Sequence, residues 1–173
     1  MAKIITSRHR ATETEGARQY IKSRLMLPTI PLAMVTLLTG YGSLAFMWFQ
    51  DSLTAQALGG SFLLFLAGVG LGWGQVRYER YLVQTCPEYL ARKQKVLDAA
   101  KEYKRPKRDL STGGPHHPGR RVVLLAYALG VIGMLALSIM FVDKVGVYPA
   151  FFLPWAGYLN AKVILWRQLF VSA

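Results

Sequence analysis

Three long blocks without a single charge limit what this chain can fold into. Residues 31–49, 53–75 and 122–142 contain no Asp, Glu, Lys or Arg. A helix needs about 20 mostly apolar residues to cross a hydrocarbon core about 30 Å thick. Each block meets or approaches that length. Of 173 residues, 53% are hydrophobic and 17% charged, and the mean hydropathy is +0.26. Soluble domains carry about a quarter charged residues. The distribution excludes a disordered chain, a collagen-like chain and a disulfide scaffold, and it argues against a soluble enzyme.

A fourth segment, residues 145–165, continues the pattern less cleanly. It is apolar to Leu159, then meets Asn160, Lys162 and Arg167 while staying largely apolar to Val171. Pro149 suits a first turn, where a missing N–H costs little. Pro154 falls inside, where proline removes a backbone hydrogen bond. Lys162 at mid-bilayer would cost about 2.5–3.5 kcal/mol, so its ammonium is expected to snorkel toward the headgroups. Trp166 and Arg167 are then expected at headgroup level. The competing reading makes this segment re-entrant or interfacial.

The fold expected is all-α, a polytopic membrane protein with a bundle of four transmembrane helices and an amphipathic surface helix in the central loop. The spans are 31–49, 53–75, 122–142 and 145–165, within a membrane domain over 27–171 that follows a polar tail, 1–26. Loop charge sets the orientation. The tail holds six basic residues, and the central loop, 76–121, holds twelve of the 21 in the chain against five acids. The short connections carry only Asp51, Asp143 and Lys144. Both termini and the central loop should therefore be cytoplasmic, in a bacterial inner membrane or, alternatively, an organelle inner membrane. This arrangement also explains the net charge of +12. A basic surface beside anionic lipid is expected, so no nucleic-acid partner is predicted.

Outside the spans, Thr12 and Glu15 form a T-x-x-E capping box, in which each side chain satisfies a backbone donor of the other. It starts a helix expected over 13–26, with Ala17, Tyr20, Ile21 and Arg24 on one face. This helix should lie on the membrane surface, and Pro28 and Pro31 should bend the chain into the first span. The tail is too polar for a secretory signal. A second box, Thr85 and Glu88, starts a helix expected over 87–103, with Tyr89, Val96, Ala100 and Tyr103 on the side that meets lipid headgroups or a partner. Lys104-Arg105-Pro106-Lys107-Arg108 and a Gly/Pro-rich linker follow. They anchor the third span by charge.

Chemistry is sparse. His9, His116 and His117 all lie outside the spans, so no haem ligation by an intramembrane histidine is expected. His116-His117 lacks further ligands at useful spacing, so no metal site is predicted. Cys86 stands alone and forms no internal disulfide. The first three spans carry no ionisable side chain that would mark an ion path. No catalytic constellation is visible, and no enzymatic activity is predicted. Asn160 and Lys162 are the candidate intramembrane polar contacts.

Close packing is the strongest signal. Gly68, Gly70, Gly72 and Gly74 form two overlapping G-x-x-x-G frames, and Ala126 with Gly130 makes a weaker small-residue pair. Such spacing lets helix backbones approach, either inside the bundle or against a neighbouring subunit. Gly40, Gly42 and Gly133 add further small positions. The tryptophans and tyrosines near span ends read as an aromatic belt. The functional expectation is a non-catalytic accessory or structural subunit of a larger integral-membrane complex, most naturally a respiratory or photosynthetic one. It has no cofactor of its own; its partners are other membrane subunits and anionic lipids, with lipid, quinone or pigment as candidate ligands. The alternatives are a small membrane subunit of a transporter, an assembly factor and a lipid-modifying enzyme.

Overall fold

The computed structural model describes residues 14–85, 90–91 and 120–171. Among these the chain is helical between short turns and contains no strand. A helical segment over 14–20 passes into a π-helical run, Ile21–Met26, and then into α1, Leu27–Phe49. The helices that follow are α2, Ala55–Thr85, α3, Arg120–Val145, and α4, Val147–Val171. Three helical stretches are long and apolar enough to cross a membrane: the one ending in α1, α2, and Val122–Val145 of α3. At 25 residues α4 has the length. Its prolines, Asn160, Lys162 and Arg167 leave it without a stretch as apolar as the spanning stretches of the other three.

The chain divides into two compact units. The first takes in residues 1–27 and 78–120. Ala17, Ile21, Leu90 and Ala91 are buried there, and a methyl built on Gly16 would touch the Ala91 Cβ at 3.4 Å. Gly16, beside the buried Ala17, thus meets the central loop. Of the expected surface helix over 87–103 only Leu90 and Ala91 are described, both helical; Tyr89, Val96, Ala100 and Tyr103 lie outside the described residues, as do the three histidines and Cys86. The expected bend at Pro28 and Pro31 does not interrupt the helix. Instead the hydrogen-bond register lengthens just before Pro28, where the Leu27 N–H donates to the Lys22 carbonyl five residues back. A π-turn of this kind is one way a long helix adjusts its direction without breaking.

The second unit takes in residues 28–77 and 121–173, and it is built inside out relative to a soluble bundle. Its large apolar side chains face outward: Leu38 is 66% exposed, Leu129 67% and Ile139 73%. Its interior holds small residues and polar groups. On α1 these are Ala33 and Gly40, with Leu44. On α2 they form a stripe, Ala57, Gly60, Ser61, Leu64, Gly68, Gly72 and Val76, at the three-and-four spacing of one helix face. On α3 only Met134, Ser138 and Val145 are buried. α4 is covered on most of its surface over 149–162. The one long helix that lacks a stretch apolar enough to span is therefore the most enclosed, which suits polar groups that lipid cannot satisfy.

Short connections hold the helices together. After α1, Asp51 adopts φ +52°, and the Ser52 N–H and hydroxyl both reach the Met47 carbonyl at 3.0 Å. Thr54 caps α2, its Oγ1 accepting from the Ala57 N–H at 3.1 Å, which satisfies one of the first-turn donors. The expected loop at Asp143 and Lys144 is instead the last turn of α3, and the connection to α4 is Gly146 alone. Gly146 adopts φ +90° and donates to the Val142 carbonyl at 2.8 Å. Glycine at this point closes a helix in the left-handed region without a Cβ clash. Gly146→Ala should therefore lower thermal stability in detergent by about 1 kcal/mol or more, whereas an unchanged melting curve would mean that the turn relaxes freely.

Candidate functional site

The closest approach in the second unit is between the backbones of α2 and α4. A methyl built on Gly68 would collide with the Pro154 carbonyl oxygen, and one on Gly72 would lie 2.6 Å from the Tyr158 carbonyl oxygen. The fit is reciprocal, since a methyl on Gly157 of α4 would collide with the Phe65 carbonyl of α2. Ala161 completes the α4 face, its Cβ 3.1 Å from the position a Gly72 methyl would take. The atoms that would be struck are backbone, so no rotamer change relieves them. Gly157 and Ala161 form a G-x-x-x-A frame that the sequence reading missed, although the same small-residue spacing was available to find it.

The two frames of α2 part company. Gly70 and Gly74 are exposed, with nothing within 4 Å of a methyl built on either. The reason is helical geometry. Positions two apart are rotated by about 200°, so overlapping frames offset by two residues face opposite ways. Of the third-span pair, Ala126 is exposed, and a methyl on Gly130 would strike the Leu71 side chain of α2. A methyl built on Gly40 of α1 would lie 2.9 Å from the Leu153 side chain of α4. Gly42 and Gly133 open onto empty space.

Polar side chains gather beside this contact, near the ends where α1 and α3 begin. The Tyr158 hydroxyl donates to the Gln75 Oε1 of α2 and also meets the Tyr127 hydroxyl of α3. A tyrosine has one hydroxyl proton. With that proton on Gln75, Tyr127 is the donor to Tyr158, and the order runs Tyr127 to Tyr158 to Gln75. Three helices are thus joined by one hydroxyl. Asn160 Nδ2 donates to the Ala156 carbonyl of its own helix at 2.8 Å and reaches the Ala33 carbonyl of α1 at 3.4 Å. Lys162 is 7% exposed, and its Nζ lies 5.4 Å from the centroid of the Tyr158 ring, a cation–π contact. Trp155 packs edge-on to the same ring at 6.0 Å.

Lys162 and Trp166, expected toward the headgroup level, are both covered by protein rather than open to their surroundings, and Trp166 is 2% exposed. Arg167 is exposed. In the second half of α2, Arg77 stacks on the half-exposed Trp73 at 5.0 Å. Hydroxyls elsewhere are satisfied locally: Thr36, Thr39, Ser43 and Ser138 each donate to a carbonyl one turn back. Such bonding lets a hydroxyl sit in an apolar setting at low cost. Ser61 differs, being buried with no hydrogen-bond partner on its Oγ. Among the described residues no three His, Cys, Asp or Glu side chains cluster as metal ligands would.

No protein-family model matches the chain, and no curated protein and no solved structure matches it either.

The polar cluster has a direct energetic consequence. Tyr158→Phe and Gln75→Leu should each destabilise the protein in detergent. Their double variant should recover part of the loss, with a coupling of about 0.6–1.7 kcal/mol, the range for interhelical hydrogen bonds in membranes. Strict additivity in the thermal unfolding of the three variants would mean that the bond does not hold α2 and α4 together.

Proposed function

We propose that this protein is a four-span, non-catalytic accessory subunit of a larger integral-membrane complex, with its termini and basic central loop on the cytoplasmic side. Respiratory and photosynthetic assemblies are the natural setting for a small chain of this kind. In this reading α4 crosses as the enclosed fourth span, since Tyr158 is met by α2 and α3 and Asn160 by α1. The positive-inside rule supports the orientation.

The observation that carries the reading is the outward frame of α2. Gly68 and Gly72 are used up within the chain, whereas Gly70 and Gly74 form a shallow groove on the outer face. A lipid-facing helix has no need of paired glycines, which lower helix propensity, and small residues at this spacing suit close contact with another helix. Trp73 and Arg77, stacked at the same end of α2, suit the membrane–water boundary. α2 then works as a two-faced adapter, with one frame holding its own bundle and the other holding a neighbour.

Purification from native membranes in mild detergent tests this reading. The tagged chain should run as part of a stoichiometric larger assembly. Gly70→Ile with Gly74→Ile should release it from its co-purifying chains, while helicity and thermal stability stay close to those of the parent. Recovery of the parent as a stable lone chain would contradict the proposal, and so would an assembly indifferent to both substitutions.

A further inference from the structure

We propose that α4 is a conditional span, held across the bilayer by the inward face of α2 rather than by its own hydropathy, so that the side on which the C-terminus lies reports whether the bundle has closed. The inference rests on the four-span reading above.

Three observations lead to it. First, α4 has 25 residues, the length of a span, yet it is not among the helices apolar enough to cross alone. It contains Pro154 in its interior, with Asn160, Lys162 and Arg167 beyond it. Interior proline frees a carbonyl, and an intramembrane ammonium is costly in lipid. Second, the other helices supply what lipid cannot. Tyr158 bonds to Gln75 of α2 and meets Tyr127 of α3, and Asn160 reaches the Ala33 carbonyl of α1; Lys162 is buried, over the Tyr158 ring of α4 itself. Third, the seat is narrow. Gly68 and Gly72 admit the Pro154 and Tyr158 carbonyls only because they lack side chains.

The connection to α3 adds a constraint. Gly146 alone separates the two helices, so a chain with α4 unseated has no slack in which to park it partway. An unseated α4 remains on the side where α3 ends, opposite the N-terminus, and carries the C-terminus with it. Three spans and four spans thus place the C-terminus on opposite sides. The same face of α2 that makes the contact also decides the topology.

The test reads the location of a C-terminal reporter on the full chain, scored on newly made, pulse-labelled protein so that turnover of misassembled chains does not bias it. In the parent the reporter should lie on the N-terminal side. Gly68→Ile with Gly72→Ile leaves the sequence of α4 untouched and should shift the reporter to the far side in most molecules. Adding Asn160→Leu and Lys162→Leu to that variant should bring it back, because α4 then crosses by its own hydropathy. Gly70→Ile with Gly74→Ile should leave the reporter where it is in the parent. If blocking the inward face does not move the reporter, or if the leucine substitutions do not return it, the proposal is overturned while the four-span reading stands. If the parent itself carries the reporter on the far side, the four-span reading fails, and this inference with it.

Discussion

The second unit depends on one contact, the meeting of the α2 and α4 backbones across Gly68, Gly72 and Gly157. Between membrane helices there is no hydrophobic drive to associate, because lipid tails are as apolar as leucine. Association has to come from van der Waals contact at short range and from hydrogen bonds. The three glycines provide the short range: each faces a carbonyl or main-chain atom of the other helix. They also bring Tyr158 to Gln75, and the Tyr158 hydroxyl then reaches Tyr127 of α3. α1 joins through Gly40 on Leu153 and Asn160 at the Ala33 carbonyl. Loss of the glycine contact would leave those polar groups with neither water nor partners.

The same contact accounts for the inverted distribution of residues. Large apolar side chains of α1, α2 and α3 face outward, and the helix that lacks a spanning apolar stretch is the most enclosed. In water this would be unstable. In a bilayer it is the economical arrangement, since lipid solvates leucine and isoleucine but not asparagine or lysine. α3 is the most peripheral of the three apolar helices, with 11% of its most apolar stretch covered, against 33% for α2. Its role is to close the polar cluster through Tyr127 and to seat Gly130 on Leu71.

Much of this was legible in the residues. Uncharged blocks over 31–49, 53–75 and 122–142 foretell helices able to span, because length and the absence of charge are local properties. The glycine run was legible as close packing, and helical rotation alone separates Gly68 and Gly72 from Gly70 and Gly74 onto opposite faces. Which frame turns inward was not legible, since that choice depends on where Pro154 and Gly157 of a distant helix arrive. That Lys162 would be covered by protein was not legible either, for a related reason. Hydropathy and snorkelling treat a lysine as facing lipid, whereas here the side chain is buried in protein and lies over the Tyr158 ring one turn back on its own helix. The turn at Gly146 was hidden by Asp143 and Lys144, which look like a loop but complete the last turn of α3. Function stayed less legible than fold, because no reactive group in the spans marks one.

The account stands most directly on the difference between the two glycine frames, and thermal unfolding of two single variants in detergent measures it. Gly68→Val places a side chain against the Pro154 carbonyl and should cost roughly 3 kcal/mol or more, the upper part of the range for overpacking. Gly70→Val, on the outer face, should change stability by less than about 1 kcal/mol, because nothing lies in its way and glycine is itself a poor helix former. Equal losses from the two substitutions, or a larger loss from Gly70→Val, would contradict the account.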